Sequence, residues 1–247
     1  IIEGNLDDAN VNVNLDSALY FTDGNDNVAI DGTEPIVAED GAFTISAWIK
    51  PNYASASKSV LAASNDTDRF NITIDGANQL AINFYANNAD ATGSYVKYDP
   101  NNWTHVCVSR AANDATIRYY INGVAAGTDE LQRGGSATQS DNWELGTIGW
   151  DTGGTDGWVG HIADVKFYNT DLSTNGADLT SIQSLASKIN VHYSNVGAGT
   201  QPLSWFKLND GTGNPADSGS SGNSTTNNNG TWVFDQYSVN VHDNSTT

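Results

Sequence analysis

Hydrophobic and polar positions alternate along much of the chain. In Phe43-Thr44-Ile45-Ser46-Ala47-Trp48-Ile49, the side chains of Phe43, Ile45, Ala47 and Ile49 fall on one face of an extended strand. Runs rich in β-branched and aromatic residues recur at 18–22, 27–31, 42–50, 69–75, 79–85, 103–110, 115–121, 143–149 and 157–168. Turn residues separate them: Asp75-Gly76 joins two runs and Asn122-Gly123 ends another. Evenly spaced strands with so little helical pattern predict an all-β sandwich or barrel.

One segment follows a different period. Leu179, Ile182, Leu185 and Ile189 recur at helical spacing, which predicts one short helix near residues 176–189. Ser173, Thr174 or Asp178 can cap it. Later, Gly211–Gly230 is mostly Gly, Ser, Thr and Asn, and its composition predicts a long exposed loop.

With 247 residues, the chain holds one large β domain or at most two ordinary ones. Hydrophobic residues make up 38%, enough for a sizeable core, and charged residues only 16%. Ten Lys+Arg against 29 Asp+Glu leave a net charge of −19. Such a surface repels phosphate backbones and anionic membranes and attracts cations. A single cysteine, Cys107, excludes an internal disulfide framework and a multi-cysteine zinc site. No apolar run reaches the length of a membrane-spanning helix. The absence of any Met suggests a processed chain, or one numbered from inside a longer product.

Five pieces of the sequence resemble the laminin-G-like branch of the concanavalin A-like lectin/glucanase superfamily. They are Ala18-Leu19-Tyr20-Phe21-Thr22-Asp23-Gly24-Asn25-Asp26-Asn27-Val28, Phe43–Pro51, Trp103–Arg110, Tyr120-Ile121-Asn122-Gly123, and Gly160–Asn169 followed by Leu172-Ser173. They occur in the family's order over residues 18–190. The resemblance implies a jelly-roll β-sandwich of two antiparallel sheets. Trp48, Trp103 and Trp158 then become core residues, and Cys107 a structural thiol on a core strand. The fold does not fix a function, because it carries lectins, adhesins, hydrolases and structural modules.

The candidate chemistry is sparse. The superfamily's glucanases use Glu-x-Asp-x-x-Glu on one strand, which aims acid and nucleophile into a cleft. No such triplet exists here, so the chain is expected not to be an enzyme. His105, His161, His192 and His242 show no metal-binding spacing, and there is no Gly-x-Ser-x-Gly elbow. Asp23, Asn25, Asn27, Asp31 and Glu34 fall at EF-hand offsets, but Val28 replaces the required Gly and reads as strand.

The resemblance implies calcium at a different place. Many members hold the ion between the early Asp-Gly turn and a carboxylate on the closing strand. This nominates Asp23, Asp26 and Asp164 as ligands. The family pattern Ile-Asp-Glu-Val reads Ile162-Ala163-Asp164-Val165 here, so its first acid is lost. For sugar or partner contact, the loop Trp150–Trp158 combines aromatic and polar residues, and nominates Trp150, Asp151 and Asp156. A loop anchor or subunit contact is the competing reading of Trp150. Six Asn-x-Ser/Thr sequons, at Asn65, Asn71, Asn102, Asn223, Asn229 and Asn244, are about as many as chance gives in so Asn- and Thr-rich a chain.

Three segments emerge: an N-terminal arm at 1–17, the sandwich at 18–195, and a C-terminal extension at 196–247. Leu203–Gly211, Asp217-Ser218-Gly219 and Gly230-Thr231 resemble segments that follow laminin-G-like domains in structural proteins of marine bacteriophages. Elsewhere in the family a similar string opens the domain. The extension is too short for a second sandwich, yet Leu203, Trp205, Phe206, Leu208, Trp232, Phe234 and Tyr237 are too apolar for a free tail. It is therefore expected to complete the same sandwich in permuted order, burying Trp205 and Trp232. Strand exchange with another chain is the alternative. The functional expectation is a non-enzymatic structural or adhesion module on a virion surface or other extracellular assembly, binding itself or a larger scaffold. A calcium-dependent carbohydrate-binding lectin is the second reading, with glycans as partners.

Overall fold

The computed structural model describes residues 11–15, 17–22, 25–31, 35–37, 41–52, 58–64, 69–74, 79–86, 89–92, 96–97, 103–114, 116–121, 124–130, 143–149, 157–172, 202–234 and 237–241. The strands, in chain order, are β1 (Val11–Leu15), β2 (Ala18–Phe21), β3 (Asn27–Asp31), β4 (Pro35–Val37), β5 (Phe43–Pro51), β6 (Lys58–Ser64), β7 (Arg69–Ile74), β8 (Gln79–Ala86), β9 (Ala89–Thr92), β10 (Val96–Lys97), β11 (Thr104–Arg110), β12 (Thr116–Ile121), β13 (Val124–Glu130), β14 (Trp143–Ile148), β15 (Gly160–Tyr168), β16 (Ser204–Phe206), β17 (Ser224–Asn228), β18 (Thr231–Val233) and β19 (Tyr237–Val241).

Two antiparallel sheets form a sandwich, as the sequence predicts. The first runs β13-β12-β11-β5-β15-β2-β18, with β16 also on β15. The second runs β10-β8-β7-β6-β14-β3-β17, with β4 on β14 and β9 on β8. β1 and β19 pair separately. The helix expected at 176–189 lies outside the described residues. Among those residues, no helix is long and apolar enough to cross a membrane.

The core sits between the sheets. Leu19, Phe21, Ile45, Ile49 and Ile162 from the first meet Val28, Ile30 and Ile148 from the second. Fully burying side chains of this size contributes about 1.5–3 kcal/mol each. Alternation accounts for Phe43, Ile45, Ala47 and Ile49, but Thr44, Ser46 and Trp48 on the other face of β5 are buried as well. β5 is a central strand covered on both faces along most of its length. Thr44 Oγ1 helps tie that outer face down, donating to Thr170 O at 2.8 Å and accepting from Leu172 N at 3.0 Å.

The C-terminal residues enter both sheets of their own chain. β16 pairs with β15, matching Phe206 to Val165 and Trp205 to Lys166. β17 pairs with β3 at the edge of one sheet, and β18 with β2 at the edge of the other. Trp205 and Phe206 are buried, and Trp232 packs half-buried against the core. Phe234 departs from its expected anchoring role, since it is 65% exposed. Its ring instead covers Gly211, where φ is +77° and an added Cβ would come within 2.7 Å of it.

Gly211–Gly230 is not the long loop its composition predicts. It contains β17, and Asp217 organises the rest. Asp217 Oδ1 accepts the backbone N–H groups of Trp205 and Gly219, each at 2.8 Å. Its Oδ2 accepts from Asn223 N at 3.0 Å and Ser221 Oγ at 3.2 Å. β17 needs no apolar alternation because it lies at a sheet edge and turns mainly Thr225 inward. Its polar side chains hold it instead: Asn228 Nδ2 donates to Asn27 Oδ1, and Asn214 Oδ1 accepts the Asn227 N–H.

Candidate functional site

The residues nominated from sequence have different fates. Asp164 stands at a β-bulge in β15. Register passes from Ala163 opposite Trp48 to Lys166 opposite Ser46, so two residues face one. Asp164 takes up the extra length with φ +49°, a conformation Asp tolerates better than most residues. The bulge aims its carboxylate at the C-terminal strand. Oδ1 accepts the Trp205 indole N–H at 2.6 Å, and Oδ2 accepts Lys166 Nζ at 2.7 Å. Lys166 and Lys207 both lie over the Trp205 ring, 5.0 and 4.6 Å from its centroid.

Asp26 is buried in the connection between β2 and β3. Its Oδ2 accepts from both Thr22 N and Thr22 Oγ1 at 2.7 Å. Asp23 lies outside the described residues. Among the described residues, no group of three acidic, His or Cys side chains is assembled for a metal. Asp164, with each oxygen hydrogen-bonded to a side chain, reads as a clamp on Trp205.

The proposed contact loop, with Trp150, Asp151 and Asp156, also lies outside the described residues. Trp158 at its end is buried in the core between the sheets; Trp48, Trp103 and Cys107 are buried too, but outside that core cluster.

A cluster on the outer face of the first sheet was not singled out by spacing. Tyr20, Lys50 and His161 sit next to core residues Leu19, Phe21, Ile49 and Ile162, so strand alternation sends them to the opposite face. Cross-strand register then lines them up. Thr231 on β18 opposes Tyr20 on β2, Tyr20 opposes His161 on β15, and His161 opposes Lys50 on β5. The His161 ring lies between two aromatics, 4.6 Å from Tyr20 and 5.9 Å from Trp103 between ring centroids. Asn52 Nδ2 donates to Tyr20 Oη at 3.0 Å and fixes that ring's tip. Tyr20, His161 and Lys50 are half-buried and Asn52 is exposed.

The row is possible because β15 and β5 approach closely at its base. Gly160 has φ +138°, and a Cβ there would run into the Lys50 carbonyl and come 2.8 Å from Pro51 Cα. The row offers aromatic faces beside an ammonium, an imidazole and an amide. That combination can stack on the C–H face of a pyranose and hydrogen-bond its substituents. The signal in the sequence was a polar-tipped residue at an outward position of each strand. Only register brings those positions together.

The family model for the concanavalin A-like lectin/glucanases superfamily matches residues 22–176. No curated protein matches the chain. Among solved structures, a Bacteroides ovatus protein described as a proposed carbohydrate binding protein is similar over 93% of this chain, at 16% identity and a TM-score of 0.63. The chain spans 62% of that protein's length. Domain 4 of an extracellular arabinanase from Geobacillus stearothermophilus, solved with arabinotriose, is similar over 70% of this chain and 76% of its own, at 15% identity and a TM-score of 0.52. The sialidase CBM40 from Ruminococcus gnavus, solved with sialyllactose, is similar over 70% of this chain and 96% of its own, at 14% identity and a TM-score of 0.50. At identities this low, the structural likeness shows a shared fold alone.

Proposed function

The chain belongs to the concanavalin A-like lectin/glucanase superfamily, and from that premise we propose that it is a non-catalytic carbohydrate-binding domain. Its contact surface is the outer-face row of Tyr20, His161 and Lys50, with Asn52 and Trp103 beside it. The observation that carries this reading is the Tyr20–His161–Trp103 ring series, half-buried at Tyr20 and His161, buried at Trp103, and flanked by hydrogen-bonding side chains. Two of the three structural neighbours were solved with a bound sugar and the third is described as a carbohydrate binder, which supports the same reading. Together they favour a lectin over the surface-assembly module expected from sequence. An extracellular setting, where glycans are displayed, is part of the proposal.

Glycan-array binding, with and without a calcium chelator, tests it. The expected result is saturable binding to a defined sugar, weakened at least tenfold in Tyr20→Ala while the variant still unfolds cooperatively. The chelator arm tests calcium near Asp23 and Asp26: an ion bound to the folded chain raises the melting temperature by linkage, and chelation removes that increment. An array on which no glycan binds contradicts the reading.

A further inference from the structure

We infer that the loop at 210–214 and the two aromatic rings seated on it, Trp232 and Phe234, form a second sugar-binding site at the C-terminal edge of the sandwich, whose ligand class is an uncharged oligosaccharide. This inference rests on the carbohydrate-binding reading above and adds a site to it. β18 divides the two sites. Thr231 stands opposite Tyr20, on the outer face of the first sheet, whereas Trp232, the next residue, packs on the core side. The Trp232 indole donates to Gly213 O at 3.2 Å, and the Phe234 ring rests on Gly211. One short stretch of loop therefore holds both rings.

The first ground is the setting of Phe234. Among the described residues it is the one large hydrophobic side chain left exposed, at 65%. Within 4 Å, an added Cβ on Gly211 would meet two ring atoms alone, Cε1 at 2.7 Å and Cζ at 2.8 Å. The ring thus touches the loop along one edge and keeps its faces open. An aromatic face held in this way stacks on the C–H face of a sugar ring at little cost in side-chain entropy. At Gly213, where φ is +70°, an added Cβ would meet nothing within 4 Å, so the loop beside the rings is open to a ligand.

The second ground is size, which decides against a protein partner. Phe234 and the exposed part of Trp232 offer on the order of 200 Å² of aromatic surface, against about 800 Å² per partner in a stable protein interface. A patch that small matches one or two sugar rings. A second copy of this chain would also bring its own net charge of −19 to the contact.

The third ground is polar chemistry. Asp210 Oδ2 accepts the Ala216 N–H at 3.2 Å, which leaves Oδ1 to accept from a ligand. Asn214 Oδ1 accepts the Asn227 N–H at 2.9 Å, which leaves its NH2 group to donate. The Thr212 hydroxyl can do both. All three side chains are exposed. This mixture suits sugar hydroxyls, which both donate and accept. Asp210, Thr212, Asn214, Trp232 and Phe234 include a carboxylate and no cation, so an acidic sugar is disfavoured.

Calorimetric titration of the full chain with cellohexaose, xylohexaose and arabinohexaose, and with trigalacturonate as the acidic counterpart, tests the inference. At least one neutral hexasaccharide is expected to bind the parent, to bind Phe234→Ala about tenfold more weakly, and to bind Phe234→Trp as well as the parent, with both variants unfolding cooperatively. Tyr20→Ala should keep part of the binding, and the double variant Tyr20→Ala with Phe234→Ala none. Binding unchanged in Phe234→Ala overturns the second site and leaves the lectin reading standing. Binding lost in Phe234→Ala yet untouched in Tyr20→Ala supports this site and contradicts the Tyr20 row. Trigalacturonate held more tightly than every neutral probe, and lost in Phe234→Ala, overturns the assignment to uncharged sugars. No binding of any of the three hexasaccharides overturns the inference, and the glycan array decides the lectin reading separately.

Discussion

The Asp164 carboxylate accepts the Trp205 indole N–H at 2.6 Å, joining a bulge on one strand to the strand that the C-terminal segment adds beside it. Both residues are buried, and Asp164 also meets Lys166. Asp164→Ala leaves an indole N–H and an ammonium without their acceptor and places Ala at a positive φ. We expect a loss of about 2–4 kcal/mol in urea unfolding. Asp164→Asn keeps the acceptor for the indole and a tolerant backbone but turns its NH2 toward Lys166, so it should lose less than Asp164→Ala, about 1–2 kcal/mol. Equal, negligible effects from both would show that the clamp contributes nothing.

Asp217 makes four hydrogen bonds that shape the segment between β16 and β17. Asp217→Ala removes all of them. Amide hydrogen exchange should quicken at 204–206 and 224–228 while β5 and β11 keep their protection. Unchanged exchange at both C-terminal strands would mean that sheet pairing alone holds them.

Gly160 permits the close approach of β15 to β5 under the ring row. Gly160→Ala brings a methyl group against the Lys50 carbonyl and Pro51 at a backbone angle L-residues avoid. A loss on the order of 3 kcal/mol or more is expected, read as poor soluble yield or a lowered urea midpoint. A variant as stable as the parent would contradict the packing described at this crossing.

Asp114 closes the turn between β11 and β12. Its Oδ1 accepts the Thr116 N–H and its Oδ2 meets Arg118, both at 2.9 Å. The Thr116 backbone hydrogen bond, with help from Arg118, lowers its pKa below the usual value, against some opposition from burial. A carboxyl with a depressed folded pKa contributes stability above its unfolded pKa, near 4, and loses it as pH falls through the folded value. Asp114→Ala should therefore be less stable than the parent at pH 7, with the gap narrowing below about pH 4. A gap independent of pH would assign the effect to the turn backbone.

The fold was legible because its strongest strands carry their own pattern. Phe43–Ile49 alternates, and Asn27–Asp31 was bounded by turn residues on both sides. β17 escaped because Ser-Thr-Thr-Asn-Asn has no apolar period; an edge strand stabilised by Asn side chains leaves no hydrophobic signature. The role of Asp164 escaped because its partner, Trp205, lies 41 positions away and is reached only through a bulge. The Tyr20–His161–Lys50 row was invisible for a related reason. Each residue is ordinary on its own strand, and register, which sequence spacing does not set across long connections, makes them neighbours.

The most direct test of the central claim is to follow the imidazole resonances of the four histidines by NMR while titrating the sugar selected on the array. Binding at the row predicts that the His161 signals shift and saturate as the sugar is added. Saturable binding that leaves His161 unmoved would contradict it.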